Sequence, residues 1–258
     1  MSEKEDDDCG EPEATASCAQ AGNHDIDLLI AYTDYAVFKN GGFDACVTHA
    51  DKTVKHINDS ILPRSGINIV FKLVDVAIVR LPENKKSFDD MLGESAAGKP
   101  LVIKSFARGI QKPVPLTDHR DNVKADIVSV FVVSSAKNGV SYPMTQCDAA
   151  FAPKAYSVVN YRAASSTQLS LAHEIGHNFG CCHDIGNHMG PMLTNYGYGH
   201  TFAVNGQAVH TIMCVPRPRI ARFSNPKTTY FGQATGVAGK ADNAKVMNDS
   251  AGVVAKFR

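Results

Sequence analysis

A chain of 258 residues, of which 44% are hydrophobic and 20% charged, is long enough to bury a sizeable core as one large domain or as one domain with two subdomains. Lysine plus arginine and aspartate plus glutamate number 26 each, so no strong global charge points to nucleic acid or to an anionic membrane as a partner. No run of about eighteen apolar residues, the minimum for a transmembrane helix, occurs, so the sequence predicts no membrane span.

Residues 1–23 are predicted to be an acidic, flexible leader or the remnant of a propeptide. The segment MSEKEDDDCGEPEATASCAQ at 1–20 has no hydrophobic stretch and is not a signal peptide as it stands. It also has few aromatic or β-branched residues with which to form a core. Order is therefore expected to begin near residue 24.

Hydrophobic periodicity predicts alternating strands and helices in the rest of the chain. The elements expected in the first half are, in order, a buried strand at 25–33, an amphipathic helix at 43–62 ended by Pro63 and Gly66, a long strand at 67–81, a short helix at 86–96 and a loop with Pro113 and Pro115. Those expected in the second half are a strand at 125–134, a short edge strand at 139–144, a strand at 156–161, a helix at 165–179 and a C-terminal helix at 240–256. This order indicates a twisted sheet covered by helices, followed by a smaller, irregular second half.

The segment AHEIGHNFGCCHD at 172–184 concentrates groups that bind zinc or act beside it. His173 and His177 are four residues apart, so on a helix both imidazoles lie on one face and reach one ion. Glu174 is rotated by about a hundred degrees from His173 and reaches a water at the metal without being a strong ligand. The pattern His-Glu-x-x-His thus predicts two zinc ligands and a general base.

A third histidine completes the predicted ligand set. Gly180 lies three residues after His177, and a glycine adopts a left-handed turn at a helix end with little steric cost. The chain can then fold back and deliver His183 to the same ion. Three histidines leave one coordination position open for water, whereas structural zinc sites are usually closed by four protein ligands. The sequence therefore predicts one catalytic Zn²⁺ held by His173, His177 and His183.

The full motif, His-Glu-x-x-His-x-x-Gly-x-x-His-Asp, resembles the zinc signature of the metzincin metalloendopeptidases, and Asp184 at its end is similar to the reprolysin (adamalysin) branch. The segment HTIMCVPRP supplies Met213 as the methionine that metzincins place in a turn beneath the zinc, although by itself it could equally be a core methionine. Residues 219–249 and the segment HRDNVKADIVSVFVV resemble bacterial secreted reprolysin-like proteases, among them the peptidyl-Asp metalloendopeptidases. The resemblance covers roughly residues 25–256.

This resemblance implies an α/β (α+β), metzincin-like fold with a twisted, mainly parallel five-stranded sheet, helices, and a small irregular part that carries the C-terminal helix. The catalytic domain would span 24–258, with an upper subdomain at about 24–180, a lower one at about 181–258 and the active-site cleft between them. Substrate would lie antiparallel to the edge strand at 139–144. In some metzincins a tyrosine approaches the metal two residues after the methionine, but Val215 occupies that position here.

By the same resemblance, Glu174 deprotonates a water at the zinc, and passes the proton to the leaving amine. The implied cofactor is one catalytic Zn²⁺, and a structural Ca²⁺ is possible in such a protein but not indicated by this sequence. The implied partner is a protein or peptide substrate, without nucleic acid, and the chain is expected to be a monomer. The nearest resemblance suggests a preference for aspartate next to the cleaved bond, but the sequence does not identify a basic residue to receive it.

Seven cysteines are present, at positions 9, 18, 46, 147, 181, 182 and 214. Their number favours secretion into an oxidising environment, and the odd count requires a free thiol or an intermolecular partner. Cys181 and Cys182 are not expected to bind zinc, because the turn that aims His183 inward aims them elsewhere. A disulfide between one of them and Cys147 or Cys214 is expected, since a bond between the two neighbours would be strained.

The segment CGEPE at 9–13 faintly resembles the cysteine switch of the matrixins, in which a propeptide thiolate occupies the open zinc position. Cys9 is therefore a candidate switch, and the alternative is an acidic leader that contains Cys-Gly by chance.

Three functional hypotheses follow. The first is a zinc-dependent endopeptidase exported by a bacterium or similar microbe. The second is a metzincin-shaped toxin or binding module with latent proteolysis, although the intact Glu174 argues against a dead enzyme. The third is an enzyme delivered into a host cell as an effector with a narrow substrate, which the missing signal peptide favours and the cysteine count disfavours.

Overall fold

The computed structural model describes residues 22–81, 87–110, 112–134, 137–161, 167–187, 190 and 192–258. The strands are β1 His24–Thr33, β2 Ile69–Arg80, β3 Leu101–Ser105, β4 Val114–Pro115, β5 Ile127–Val132, β6 Gly139–Ser141, β7 Tyr156–Asn160, β8 Cys182–Asp184, β9 Tyr198–Gly199, β10 Thr201–Val204, β11 Gln207–His210, β12 Thr229–Tyr230 and β13 Gln233–Ala234. The α-helices are α1 Asp34–Asn40, α2 Phe43–His56, α3 Leu62–Ser65, α4 Phe88–Ala96, α5 Leu116–Val123, α6 Thr167–Asn178 and α7 Asn243–Val254. A π-helical segment, Ile57–Ile61, joins α2 to α3, and 3₁₀ turns lie at Ala149–Lys154 and Ile185–Asn187.

Seven of the described strands form one sheet, in the order β4-β3-β2-β1-β5-β7-β6. The central strands β2, β1, β5 and β7 are mutually parallel, and β3, β4 and β6 pair antiparallel at the two edges. Strand β5 is buried along its whole length, as expected of a central parallel strand covered on both faces. The predicted α/β fold with a mainly parallel sheet is confirmed.

The predicted number of strands is wrong, because the sheet has seven in the described part of the chain where five were expected. The two additional strands, β3 and β4, extend the sheet beyond β2, in the stretch predicted to contain a loop with Pro113 and Pro115. Strand β4 is two residues long and ends in Pro115. A proline is tolerated there because an edge strand leaves some of its N–H groups outside the ladder.

The long helix predicted to end at Pro63 and Gly66 continues past the proline. The π-helical segment Ile57–Ile61 comes before Pro63, which lies in the first turn of α3. The π-helical segment interrupts the regular i→i−4 hydrogen-bond ladder just before the proline, which has no N–H to donate to that ladder. The helix ends at Gly66, which has a φ of 69°.

Helices cover both faces of the sheet because successive strand residues point to opposite sides. Leu28 and Ile30 of β1 belong to the core that includes buried residues of α2, α6 and α7. Leu29 and Ala31 belong to the opposite core, with buried residues of α4 and α5. Helix α6 contacts both β7 and the edge strand β6, so the helix that carries the motif is fixed next to one edge of the sheet. No helix in the described ranges is long and apolar enough to cross a membrane.

Candidate active site

Three histidines of the motif converge on one point. His173 and His177 lie one turn apart on α6, and His183 lies in β8, after the chain has reversed direction. The Nε2 atoms of His173 and His177 are each 3.1 Å from the Nε2 atom of His183. One ligand atom of each histidine lies within 4.8 Å of the other two, so all three can bind one metal ion.

Hydrogen bonds on the far side of two of these rings determine which nitrogen faces the common centre. The Nδ1 atom of His173 lies 2.8 Å from the carbonyl oxygen of Ile212, and that of His177 lies 2.8 Å from the carbonyl oxygen of Cys181. A carbonyl only accepts, so each Nδ1 carries the proton and each Nε2 presents its lone pair to the centre. Burial lowers the pKa of His173 well below its ordinary value, which keeps that ring in the neutral, metal-binding form.

This set of donors fits Zn²⁺. Three imidazole nitrogens supply three of the four positions around a tetrahedral zinc ion and leave the fourth for water or substrate. That is the arrangement of catalytic zinc sites, whereas structural sites usually have four protein ligands. The chemistry of the donors therefore agrees with the metal predicted from the motif.

A turn at Gly180 brings His183 back towards α6. Gly180 has a φ of 92°, in the left-handed region that favours glycine, and its N–H donates to the carbonyl oxygen of His177 at 2.9 Å. The chain then enters β8, which pairs with β9. The short ladder holds His183 opposite the two histidines of the helix.

Glu174 is buried beside the histidines and faces the edge strand β6. Its side chain is 6% exposed, and the hydroxyl of Ser141 donates to Oε2 at 2.8 Å. Gly139 gives the carboxylate its space, since a Cβ atom at that position would lie 2.5 Å from Oε1. Burial raises the pKa of Glu174 to about 7, and the hydrogen bond from Ser141 opposes the increase. Such a carboxylate can gain and lose a proton near neutral pH.

The three histidines and Glu174 line a cleft of about 350 Å³. The opposite wall is formed by β6, of which Gly139, Val140 and Ser141 all contribute. Strand β6 is the last strand of the sheet, so an extended peptide in the cleft can hydrogen-bond to its outer edge.

Contacts of Asp184 and Met213 join the histidine-bearing segments to the chain around residues 213–215. The carboxylate of Asp184 accepts hydrogen bonds from the backbone N–H of Val215 at 2.8 Å and from the side chain of Asn187 at 2.6 Å. Met213 is fully buried, and its sulfur would lie 2.7 Å from a Cβ atom at Gly176. Met213 therefore packs directly against the backbone of α6 between the two helical histidines.

The predicted disulfide between Cys181 or Cys182 and another cysteine is wrong. Cys181, Cys182 and Cys214 are free, buried thiols, so neither of the two neighbours pairs with Cys147 or Cys214. The thiol of Cys181 lies 3.6 Å from the carbonyl oxygen of Asn243, at the start of α7. Burial raises the pKa of Cys181 well above its ordinary value and that of Cys182 to about 11, and among the described residues the converging ligand atoms are those of the three histidines, not of these thiols.

Three contributions to the site were not predicted. The carbonyl of Ile212 orients His173, Gly139 gives Glu174 its space, and the guanidinium of Arg219 lies 3.1 Å from Nδ1 of His173. All three come from segments distant in sequence from α6, so no local spacing rule identifies them. The predicted edge strand at 139–144 was the one signal that pointed towards β6.

Comparison with known proteins places this site in a family. The model of the metallo-peptidase family M12 matches residues 22–224, which include the three histidines and Glu174. The chain belongs to the metallo-peptidase family M12. This confirms the resemblance to reprolysin-type metzincins that the motif indicated.

Two relatives of this M12 chain are peptidyl-Asp metalloendopeptidases of Stenotrophomonas maltophilia, 30% identical over 146 residues in strain R551-3 and 31% identical over 144 residues in strain K279a. Each match covers 54% of this chain but 33% of the relative. A peptidyl-Asp metalloendopeptidase of Xanthomonas campestris pv. campestris is 32% identical over 90 residues, which are 34% of this chain and 22% of that protein. The chain thus matches about a third or less of the length of these relatives.

A solved chain from a chaperone–substrate complex has the same fold. It superposes with a TM-score of 0.68 over 92% of this chain and 36% of that chain, at 18% sequence identity. At 18% identity this similarity supports the fold of the M12 chain but gives no information about its activity.

Proposed function

We propose that this M12 chain is a zinc-dependent endopeptidase that hydrolyses internal peptide bonds of protein substrates. The observation that carries the proposal is the convergence of three Nε2 atoms beside the buried carboxylate of Glu174, in one cleft. Membership of the M12 family supports the peptidase class, and the names of the relatives support an endopeptidase.

His173, His177 and His183 would hold one Zn²⁺, which when bound polarises the scissile carbonyl and makes water more acidic. Glu174 accepts a proton from the attacking water and then gives that proton to the leaving amine. A pKa of about 7 suits both transfers. The hydroxyl of Ser141 holds Oε2 at 2.8 Å, which fixes the carboxylate in the cleft and leaves Oε1 to carry the proton.

An extended substrate would pair with the outer edge of β6, where Val140 and Ser141 line the cleft. Main-chain hydrogen bonds in such a pairing position the peptide but do not select side chains. The name of the relatives supports extending the proposal to bonds formed by aspartate.

We also propose that residues 1–23 are a leader and that residues 24–258 form a catalytic domain. Its upper and lower subdomains would meet near residue 180. Cys9 lies outside the described residues, and its role as a switch stays a prediction. Export from the cell and a monomeric state are likewise part of the proposal.

Replacing the proposed base tests this function. Glu174→Gln keeps the volume of the side chain and removes the proton acceptor, so kcat/KM on casein or a peptide library should fall by about 10²–10⁴-fold. Zinc content should stay at that of the wild type, because Glu174 is not among the converging ligands. Chelation should abolish cleavage, and added Zn²⁺ should restore it. Equal cleavage by wild type, variant and chelated protein, or none by wild type, would contradict the proposal and favour a binding module.

A further inference from the structure

Arg219 lies beside the catalytic centre on a well-fixed piece of backbone. Its neighbour Ile220 donates its N–H to the carbonyl oxygen of His210 at 2.8 Å, and Arg219 itself pairs with His210 in a short bridge. The Nη1 atom of Arg219 is 3.1 Å from Nδ1 of His173. One imidazole ring therefore separates the guanidinium from the point at which the three Nε2 atoms converge.

The contact with His173 does not satisfy this guanidinium. The Nδ1 atom of His173 carries the proton that it donates to Ile212, so the close approach of Arg219 brings two donors together. The Nη2 atom is 3.5 Å from the carbonyl oxygen of Val215, at the limit of a hydrogen bond. The Nε atom is buried and has no acceptor in the described parts of the chain. Buried donors without acceptors are costly, so an incoming acceptor gains a large part of that free energy.

The charge of Arg219 also lacks a close counter-ion. Within the described ranges, no carboxylate lies at ion-pair distance from its guanidinium, and Glu174 and Asp184 act on it at longer range. An arginine guanidinium stays protonated in proteins, so Arg219 carries a full positive charge. Lys137, the cation that lines the cleft, differs because it is exposed and pairs with Asp89 at 3.3 Å.

We propose that Arg219 binds the carboxylate of an acidic side chain on the substrate residue next to the scissile bond, and so makes the enzyme prefer aspartate at that position. The inference rests on the proposed function and assigns the residue that sets its specificity. A guanidinium presents paired N–H groups that match a carboxylate, and a partly buried, underbonded one has the most to gain from it.

The test uses pairs of peptides that differ only in aspartate or asparagine at the cleavage position, with amidated C-termini. Wild type should cleave the aspartate peptide about 10- to 100-fold more efficiently by kcat/KM, the worth of one or two charge-assisted hydrogen bonds. Arg219→Met and Arg219→Gln should bring the ratio close to one, and Arg219→Lys should keep part of it. If the preference appears only for peptides with a free C-terminus, Arg219 binds the terminal carboxylate and the proposal is wrong.

Two matched variants distinguish a contact from a general field effect. Arg217→Met removes an exposed positive charge two residues away, and Lys137→Met removes the charge that lines the cleft. Both should keep the ratio of aspartate to asparagine cleavage. A ratio unchanged in Arg219→Met, with both peptides slowed equally and zinc lost, would show that Arg219 only supports His173 and would overturn the assignment.

Binding to Glu174→Gln separates this inference from the proposed function. Dissociation constants for the same peptides, measured by calorimetry, do not depend on turnover. The aspartate peptide should bind about tenfold more tightly than the asparagine peptide, and the double variant Glu174→Gln/Arg219→Met should lose that difference. Equal binding of the two peptides would overturn the role of Arg219 even if wild type proves to be a peptidase. Absence of cleavage with intact discrimination would instead contradict only the catalytic proposal.

Discussion

Glu174 is held in place by residues whose own side chains are small. Ser141 donates one hydrogen bond at 2.8 Å, and Gly139 contributes only the space in which the carboxylate lies. Burial favours the protonated acid, while the hydrogen bond from Ser141 and the charges of Arg219 and Lys137 favour the carboxylate, and the pKa of about 7 is the balance of these effects. The position of the base therefore depends on β6 as much as on the helix that carries it.

Gly139→Ala should displace the carboxylate of Glu174 without changing any of the three histidines that would bind zinc. The new Cβ atom would lie 2.5 Å from Oε1 and 2.7 Å from Cγ of Glu174, so the carboxylate must move. Displacement of a catalytic group by about 1 Å lowers rates by about 10- to 100-fold, and we expect a loss of that size in kcat/KM. Gly186→Ala is the control, because a Cβ atom there meets nothing within 4 Å. Equal activity of the two variants would show that the space at Gly139 is unimportant.

The residues that the sequence identified and those that it missed differ in one respect. The three histidines, Glu174 and Gly180 are related by helical spacing and a turn, which are local rules. Arg219, Ser141 and the carbonyl of Ile212 reach the site through the tertiary fold, at separations of 46, 33 and 39 residues from their partners on α6. No rule of spacing connects such pairs, so the sequence could predict that Glu174 lies beside the histidines, but not the orientation of its carboxylate or the approach of Arg219 to His173.

At the scale of elements, the end of α6 is the feature on which the third histidine depends. Gly180 combines a positive φ with close packing, because a Cβ atom there would lie 2.4 Å from Cδ2 and 2.9 Å from Cβ of Leu193. The positive φ and the close packing against Leu193 each disfavour any residue with a side chain at position 180. The turn therefore sets the direction in which β8 leaves the helix and places His183 opposite the other ligands.

Gly180→Ala should lower both the affinity for zinc and the free energy of unfolding. The substitution strains φ by about 1 kcal/mol and adds the collision with Leu193, so we expect a loss of about 2–3 kcal/mol in the free energy of unfolding. Zinc affinity, measured by competition with a chelating dye, should fall by at least about tenfold. Gly206→Ala is the matched control, since its φ is 76° and a Cβ atom there meets nothing within 4 Å. If both variants bind zinc alike, the turn at Gly180 does not determine the ligand set.

Element prediction succeeded where hydrophobic burial decides the structure. Strands β1, β2, β5 and β7 are long apolar runs in the centre of the sheet, and each was predicted within a few residues. Strands β3 and β4 were missed because edge pairing depends on a partner strand and leaves little hydrophobic pattern of its own. The continuation of the helix past Pro63 was missed for a related reason, since the π-helical segment before it has no recognised sequence signal.

At the scale of the whole molecule, Asp126 ties the C-terminus to the sheet. It precedes β5, is 4% exposed, and its carboxyl group accepts from the backbone N–H of Asp27 in β1 at 2.9 Å and of Arg258 at 3.3 Å. Burial raises the pKa of Asp126 to about 6 from an ordinary 3.8, and the charge of Asp27 adds to the increase. The folded chain therefore holds this proton over a range in which the unfolded chain has lost it.

The raised pKa of Asp126 makes the free energy of unfolding fall as the pH rises, whereas the lowered pKa of an ion-paired carboxylate makes it rise. Near pH 4 and below, the protonated Asp126 carries no penalty of burial. Between about pH 4 and 6 the unfolded chain loses this proton while the folded chain keeps it, so the free energy of unfolding falls by up to about 3 kcal/mol, and above about pH 6 the loss stays constant. Asp126→Asn cannot ionise, and urea titrations between pH 4 and 7 should show its stability rising relative to wild type by that amount. Asp51→Asn, at an exposed position on α2, is the control and should follow wild type throughout. Parallel curves for Asp126→Asn and wild type would mean that the carboxyl group ionises as freely in the folded chain as in the unfolded one.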